Sequence, residues 1–260
     1  MGRKKIGLAL SGGGARGFAH IGVLKGLVEN NIPIDMIAGT SAGALVGGAF
    51  AAGMSPEKLI ALADRVSWFR ISRPSISPLG IFSNAPLGKL IEREFPVRRF
   101  EDLEIPYAAV ACDFVVGEEV VFRDQGDLSF AIRASCSVPG VFAPLKDPDG
   151  RLLVDGGTVS PTPTDATRQL GADIVIAVDV ITCGMTFRAR PRTAFGVTFQ
   201  SAMATLRASS RNQHFRADVV IEPPIAHLRP DKMSNRYELI HLGEKAALLS
   251  LDEIKGAIEN

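Results

Sequence analysis

Gly39-Thr40-Ser41-Ala42-Gly43 places a serine between glycines at the spacing of a sharp strand-to-helix turn, where small neighbours let the serine oxygen project clear of the backbone. Ser41 would then open a helix. The Ala42 amide and the helix dipole would face the negative charge that builds on a tetrahedral intermediate. A serine held in this way is a candidate nucleophile for acyl transfer. The pentapeptide alone is also what a glycine-rich helix cap looks like. It gains weight from its setting, because an apolar strand pattern precedes it and a run of small apolar residues follows.

Two other stretches could serve the same chemistry. Gly12-Gly13-Gly14-Ala15-Arg16-Gly17 strings backbone amides together with almost no side-chain bulk, the composition of an anion-binding turn ahead of a helix. In a serine hydrolase it would form the oxyanion hole. Gly12, Gly14 and Gly17 also satisfy G-x-G-x-x-G, but a dinucleotide site wants an acidic residue at the end of the second strand. Asp35 precedes that strand and Ser41 ends it, so the dinucleotide reading is set aside. Asp155-Gly156-Gly157 closes a strand with a carboxylate and two glycines that let another backbone approach closely. Taken singly it reads first as a turn. His20 is the one histidine near a motif, and a triad built on it competes with a packed or capped histidine on the first helix.

These residues need elements to hold them. Ile6 to Leu10 reads as a strand, and Phe18, Ile21, Leu24 and Val28 fall at helical spacing between Gly17 and Asn30. Met36-Ile37-Ala38 is a second strand that runs into the serine turn, and Ala44 to Ala52 suit a buried helix. Ser55-Pro56 predicts a helix start, with the helix reaching about Val66. Tyr107 to Cys112, Val120 to Phe122, Leu152 to Val154, Asp173 to Val180 and Val219 to Ile221 are further strand patterns. Helical patterns alternate with them. The fold class expected is α/β, a three-layer sandwich with a mainly parallel central sheet, in one domain over residues 1–260 whose part from 181 on is largely helical.

The remaining stretches carry less pattern. Residues 67–86 mix Trp68, Phe69, Ile71, Ile76, Leu79, Ile81 and Phe82 with prolines and show no period. They are expected to form a lid or a surface that meets lipid, or simply to cover the core. Thr182 to Thr193, polar and Arg-rich, reads as an exposed loop. Thr193 to Ala217 reads as a helix that packs on the core or on a second subunit.

Composition narrows the partners. Net charge is +1, from 29 Lys and Arg against 28 Asp and Glu, so no long-range field steers the chain to nucleic acid, and any membrane contact must be local and apolar. The apolar run after Lys5 stops after five residues, too short for a signal peptide, and nothing approaches the ~20 residues of a spanning helix. Ile6 stands where a myristoylation signal wants Ser or Thr. A cytoplasmic protein is expected, with peripheral membrane contact as an option. Cys112, Cys136 and Cys183 read as reduced, mostly buried thiols, and the four histidines show no metal-ligand spacing, so neither metal nor cofactor is expected.

Together with Ser137-Val138-Pro139-Gly140-Val141-Phe142 and Pro144, the three motifs stand in the order seen in patatin-like phospholipases, and the chain resembles that family over roughly residues 5 to 180. The resemblance implies a Ser-Asp dyad of Ser41 and Asp155 and hydrolysis of lipid acyl esters without a metal. It also implies an oxyanion hole from Gly12, Gly13 and Gly14, with Arg16 fixing the loop and the Ala42 amide assisting. Gly39, Gly43, Gly156 and Gly157 would be turn glycines. The family often has an asparagine six residues after the aspartate, where this chain has Pro161. An acyltransferase using the same acyl-enzyme, and a regulatory adaptor with weak catalysis, are alternative functions.

Overall fold

The computed structural model describes residues 3–183 and 191–259; most of the loop expected from Thr182 to Thr193 lies outside them. In chain order the elements are β1 (Ile6–Leu10), α1 (Phe18–Glu29), β2 (Met36–Thr40), α2 (Ala42–Ala51), α3 (Pro56–Ala63), α4 (Trp68–Ile71), β3 (Arg73–Pro74) and β4 (Gly80–Ser83). There follow α5 (Ala85–Glu94), β5 (Tyr107–Asp113), β6 (Glu118–Phe122), α6 (Leu128–Ser135), β7 (Gly140–Phe142), β8 (Leu145–Lys146) and β9 (Leu152–Asp155). The chain continues through α7 (Thr164–Gln169), β10 (Ile174–Val178), α8 (Ala194–His214), β11 (Val219–Ile221), α9 (Arg236–Leu249) and α10 (Leu251–Glu259).

The main sheet runs β11-β10-β1-β2-β5-β9-β8, with β6 also on β5. Its middle is parallel and buried on both faces, which explains why β1, β2 and β10 are apolar throughout rather than alternating. Residue size still alternates. Ile6, Leu8 and Leu10 of β1 enter the large core shared with α1, α2 and α9, while Ala9 faces the thinner layer near α7. The observed architecture is the expected three-layer α/β sandwich. Several element ends differ from expectation by a few residues; α3 stops at Ala63, and the strand expected to reach Val180 ends at Val178, where the Asp179 carboxylate captures the Ile181 and Thr182 amides.

One feature of the sheet positions the site. Ala109 and Val110 of β5 pair with both β2 and β6, so those strands lie on opposite edges of β5. Ala111 to Asp113 pair with both β6 and β9, which puts β9 on the β2 edge. β2 and β9 therefore share one edge of β5 and meet end to end. Thr40 lies opposite Val110 and Asp155 opposite Ala111, the next residue along.

Residues 67–86 are more regular than their composition suggests. After the single turn of α4, β3 pairs antiparallel with β4, and β4 pairs parallel with β7 from the Ser137 to Phe142 motif, forming a separate three-stranded sheet. Among the described residues no helix is long and apolar enough to cross a membrane.

Candidate active site

Ser41 sits between the end of β2 and the start of α2 with φ 54° and ψ −118°, a backbone conformation that non-glycine residues rarely hold without support. That support is visible on each side. The Ser41 amide donates to Ser135 Oγ at 2.8 Å, Ser135 Oγ donates to the Val110 carbonyl at 2.5 Å, and the Cys136 thiol donates to the Ser41 carbonyl at 3.2 Å. A side chain at Gly43 would collide with the Leu10 carbonyl of β1, and one at Gly39 would stand 2.5 Å from the Gly43 carbonyl oxygen. Those two glycines are what allow the turn to lie this close to the sheet.

Asp155, the last residue of β9, is buried and held from both sides. Its amide donates to the Ser137 carbonyl at 2.9 Å, and its Oδ1 accepts from the Gly157 amide at 2.8 Å. Oδ2 is buried without a fully formed hydrogen bond. The Ser41 hydroxyl lies near enough to favour the ionised carboxylate, yet not in the geometry of a closed bond. Burial pushes the carboxyl up to about 6, against the pull of Ser41 and the Gly157 amide. Such an acid can take a proton near neutrality.

The glycine-rich loop is wired differently from expectation. The Gly12 amide, expected among the oxyanion donors, is occupied by the Pro161 carbonyl at 2.9 Å, and the Arg16 amide bonds to the Gly13 carbonyl at 3.2 Å. Neither is open to a ligand. The amides of Gly13, Gly14 and Ala42 have no acceptor among the described residues. Gly13 and Gly14 both take positive φ, at 149° and 59°. The Arg16 side chain fixes the loop: its buried guanidinium donates to the Leu228 carbonyl at 2.7 and 2.8 Å and to Cys183 Sγ at 3.3 Å. Pro161 stands where the patatin-like family often has an asparagine. Its carbonyl ties the segment after Asp155 to the loop at Gly12.

Ser41, Ala42 and Gly14 line the mouth of an apolar cavity of about 120 Å³, whose other walls include Leu45, Val46, Ala49, Leu59, Leu62 and Val66. Trp68, Ile71 and Phe142 close one side. Trp68 stacks on Phe142 with ring centres 6.5 Å apart, and its indole N–H donates to the Asp231 carbonyl at 2.9 Å. The Cys136 thiol lies on the same cavity, and burial together with the Asp155 charge raises it well above its usual range, so it stays protonated. All three cysteines are free thiols; Cys112 and Cys183 are buried and Cys136 is half-buried.

His20 does not join this constellation. It is fully buried on α1, where Nε2 donates to the Ser11 carbonyl at 2.8 Å and burial lowers its pKa to about 4, leaving the ring neutral. Asp35 accepts from the Ile6 amide and Arg3 at the start of the sheet, far from any role at the glycine loop. The fold does gather one cluster that sequence spacing concealed, with donor atoms of Asp179, His214 and Glu222 within 4.8 Å of one another. Asp179 already accepts from His214, Ser210, the Thr182 hydroxyl and two backbone amides. The hydrogen bonds from Ser210 and His214 to Asp179 therefore pin α8 to the end of β10.

The fold is thus an α/β sandwich with a strained serine at the end of β2, a buried aspartate at the end of β9 and an apolar cavity lined in part by the serine. The model of the patatin-like phospholipases matches residues 8–168, and the chain belongs to that family of lipid acyl hydrolases. An uncharacterized NTE family protein of Mycobacterium tuberculosis is 43% identical over 179 residues, 68% of this chain and 49% of that protein. Patatin-like phospholipase domain-containing protein 6 of Homo sapiens is 38% identical over 184 residues, 67% of this chain and 13% of that protein. The aligned part thus spans about half or less of these relatives. Among solved structures, VipD from Legionella pneumophila superposes with a TM-score of 0.60 at 16% identity, over 96% of this chain and 67% of that one. Human GIVD cytosolic phospholipase A2, solved with a fluorophosphonate inhibitor, gives 0.52 at 12% identity, over 98% and 60%. At those identities the likeness is one of fold.

The raised Asp155 value has a consequence for stability. A carboxyl at about 6 in the folded chain and 3.8 otherwise favours the fold while protonated, and that contribution is lost as pH rises from about 4 through about 6. At pH 7 the ionised group weakens the fold by at most roughly 3 kcal/mol. Asp155→Asn, which keeps the acceptor for Gly157, is expected to raise the thermal midpoint at pH 7.5, with the gain vanishing near pH 4. Thermal melts across that range check it; a lower midpoint at pH 7.5 would refute the unfavourable burial of this charge.

Proposed function

We propose that this protein is a serine hydrolase of lipid acyl esters, acting on phospholipid, lysophospholipid or a related ester through Ser41 and Asp155. The observation that carries the reading is the buried Asp155 carboxylate, one oxygen left open, at the strand end that abuts the Ser41 turn. In the reaction, Asp155 Oδ2 accepts the Ser41 hydroxyl proton as Oγ attacks the ester carbonyl. The amides of Gly13, Gly14 and Ala42 stabilise the oxyanion, each such donor being worth ~3 kcal/mol of barrier. The protonated Asp155 then gives its proton to the departing alcohol. A water molecule, deprotonated by Asp155, releases the acid and restores Ser41.

An apolar cavity that begins at Ser41 supports an acyl chain as the group bound on that side. The surface beside it supports contact with a lipid interface. Phe69 and Ile76 are almost wholly exposed, and Ile81 is more than half so, on the segment whose Trp68 and Ile71 wall the cavity. Trp68 is partly held against Phe142 and the cavity and is less exposed than Phe69 and Ile76, so the lipid-facing role falls chiefly to those neighbours. Sharing the elbow and loop with an acyl-transfer route does not alter this reading, since water and alcohol would meet the same acyl-enzyme.

Labelling of the purified protein with a fluorophosphonate, followed by peptide mapping, is expected to place the adduct on Ser41 and to fail in Ser41→Ala. An adduct elsewhere, or equal labelling of the variant, would remove Ser41 from the mechanism. For the interface, Phe69→Ser with Ile76→Ser is expected to lower hydrolysis of vesicle lipid several-fold while a soluble short-chain ester is turned over as before. A parallel fall on both substrates would instead assign these side chains to the fold.

A further inference from the structure

The small sheet borders a second depression of different chemistry. A polar cleft of about 650 Å³ is lined by Arg73, Arg133 and Lys146 together with the serines Ser75, Ser77 and Ser83, and no Asp or Glu lines it. The chain as a whole is close to neutral, and several of its cations are paired with carboxylates, as Lys25 is with Glu244 and Arg168 with Asp218. These three cations are not. None of them forms an ion pair among the described residues, and the one side-chain hydrogen bond made by their charged groups there runs from Arg133 Nε to Asn84 Oδ1 at 3.2 Å.

Arg133 is the best-fixed member. It is half-buried and lies across Gly88 of α5, where its stem would crowd any added side chain. Burial lowers its pKa; the charges of Glu92 and Asp127 oppose that, and the smaller repulsion from Arg73 adds to it. Three cations thus share one half-enclosed space whose lining holds no carboxylate, an arrangement that an anion would complete. Two guanidinium forks, an ammonium and several hydroxyls match a tetrahedral oxyanion, each oxygen of which can take charge-assisted hydrogen bonds.

The position of the cleft narrows the anion further. Phe142 lines the apolar cavity and its chain neighbour Ala143 lines the cleft; Ile71 and Arg73 divide in the same way. Ile76, on the cleft wall, is fully exposed. An apolar tip beside a cationic trough suits an interface where acyl chains and charged head groups lie side by side. We propose that the Arg73–Arg133–Lys146 cleft binds the phosphate of an anionic phosphate ester, such as a lipid head group. This does not depend on Ser41 being reactive, because the cleft would hold phosphate in a catalytically silent chain as well.

The test uses the full chain, vesicles of phosphatidylcholine with and without phosphatidic acid, and inorganic phosphate in solution. The native protein is compared with Arg73→Gln/Lys146→Gln, which changes two exposed side chains that support nothing else, and with Lys58→Gln/Lys255→Gln, which removes the same charge elsewhere. Each single change at Arg73 and Lys146 is included, so a poorly folding double variant leaves the comparison intact. Vesicles containing phosphatidic acid are expected to sediment the native chain more strongly than phosphatidylcholine alone, with binding about ten- to thirtyfold weaker in the cleft variant and unchanged in the control. Binding of inorganic phosphate that shows the same loss would support free phosphate as a sufficient ligand; loss confined to vesicles would support the lipid head group. Equal binding by the cleft variant and the native chain, or equal losses in the cleft and control variants, would overturn the proposal.

Discussion

Everything at this site depends on how one edge of β5 is shared. β2 and β9 approach along that edge from opposite directions and stop one residue apart, so the turn that follows Thr40 and the carboxylate that ends β9 are brought together by sheet hydrogen bonding alone. Val110 is the hinge point of the arrangement. It pairs with Thr40, its carbonyl takes the Ser135 hydroxyl that in turn holds the Ser41 amide, and Gly156 lies so close to that carbonyl that no side chain could replace its hydrogen. Backbone geometry thus sets the separation of the two functional side chains before either one makes a contact.

The same geometry explains the electrostatics. A carboxylate at a strand end inside the sheet loses water on all sides, and this chain compensates only one of its oxygens, through Gly157. Full compensation would produce an inert, permanently ionised aspartate of the kind seen at Asp179, whose five donors hold it below the ordinary range. Asp155 and Asp179, two of the buried aspartates, differ in the number of hydrogen bonds they accept. Asp179 is a structural pin, and Asp155 keeps one buried oxygen without a partner among the described residues.

Much of this was legible in the sequence because it lies in local pattern. Strand, glycine turn and helix follow one another around Gly12 to Gly17 and again around Gly39 to Gly43, and the apolar strands of a doubly covered sheet stand out in composition. What stayed hidden depends on partners far apart in the chain. The strands Arg73–Pro74 and Gly80–Ser83 are too short to show alternation, and their sheet is completed by Gly140–Phe142 some sixty residues on. Which loop amides are free could not be read either, since Gly12 is silenced by a carbonyl from Pro161. His214 and Glu222 meet Asp179 only because α8 returns to the end of β10.

The central claim is that Asp155, raised in pKa by burial, is the base for Ser41. The most direct test is the pH dependence of kcat/KM on a soluble short-chain ester, measured for the native chain and for Asp155→Asn. The account predicts a rate that rises through an inflection near pH 6 in the native chain, and a loss of about 10²- to 10⁴-fold with no such inflection in the variant. A variant that keeps the native rate, or keeps the inflection near pH 6, would contradict it.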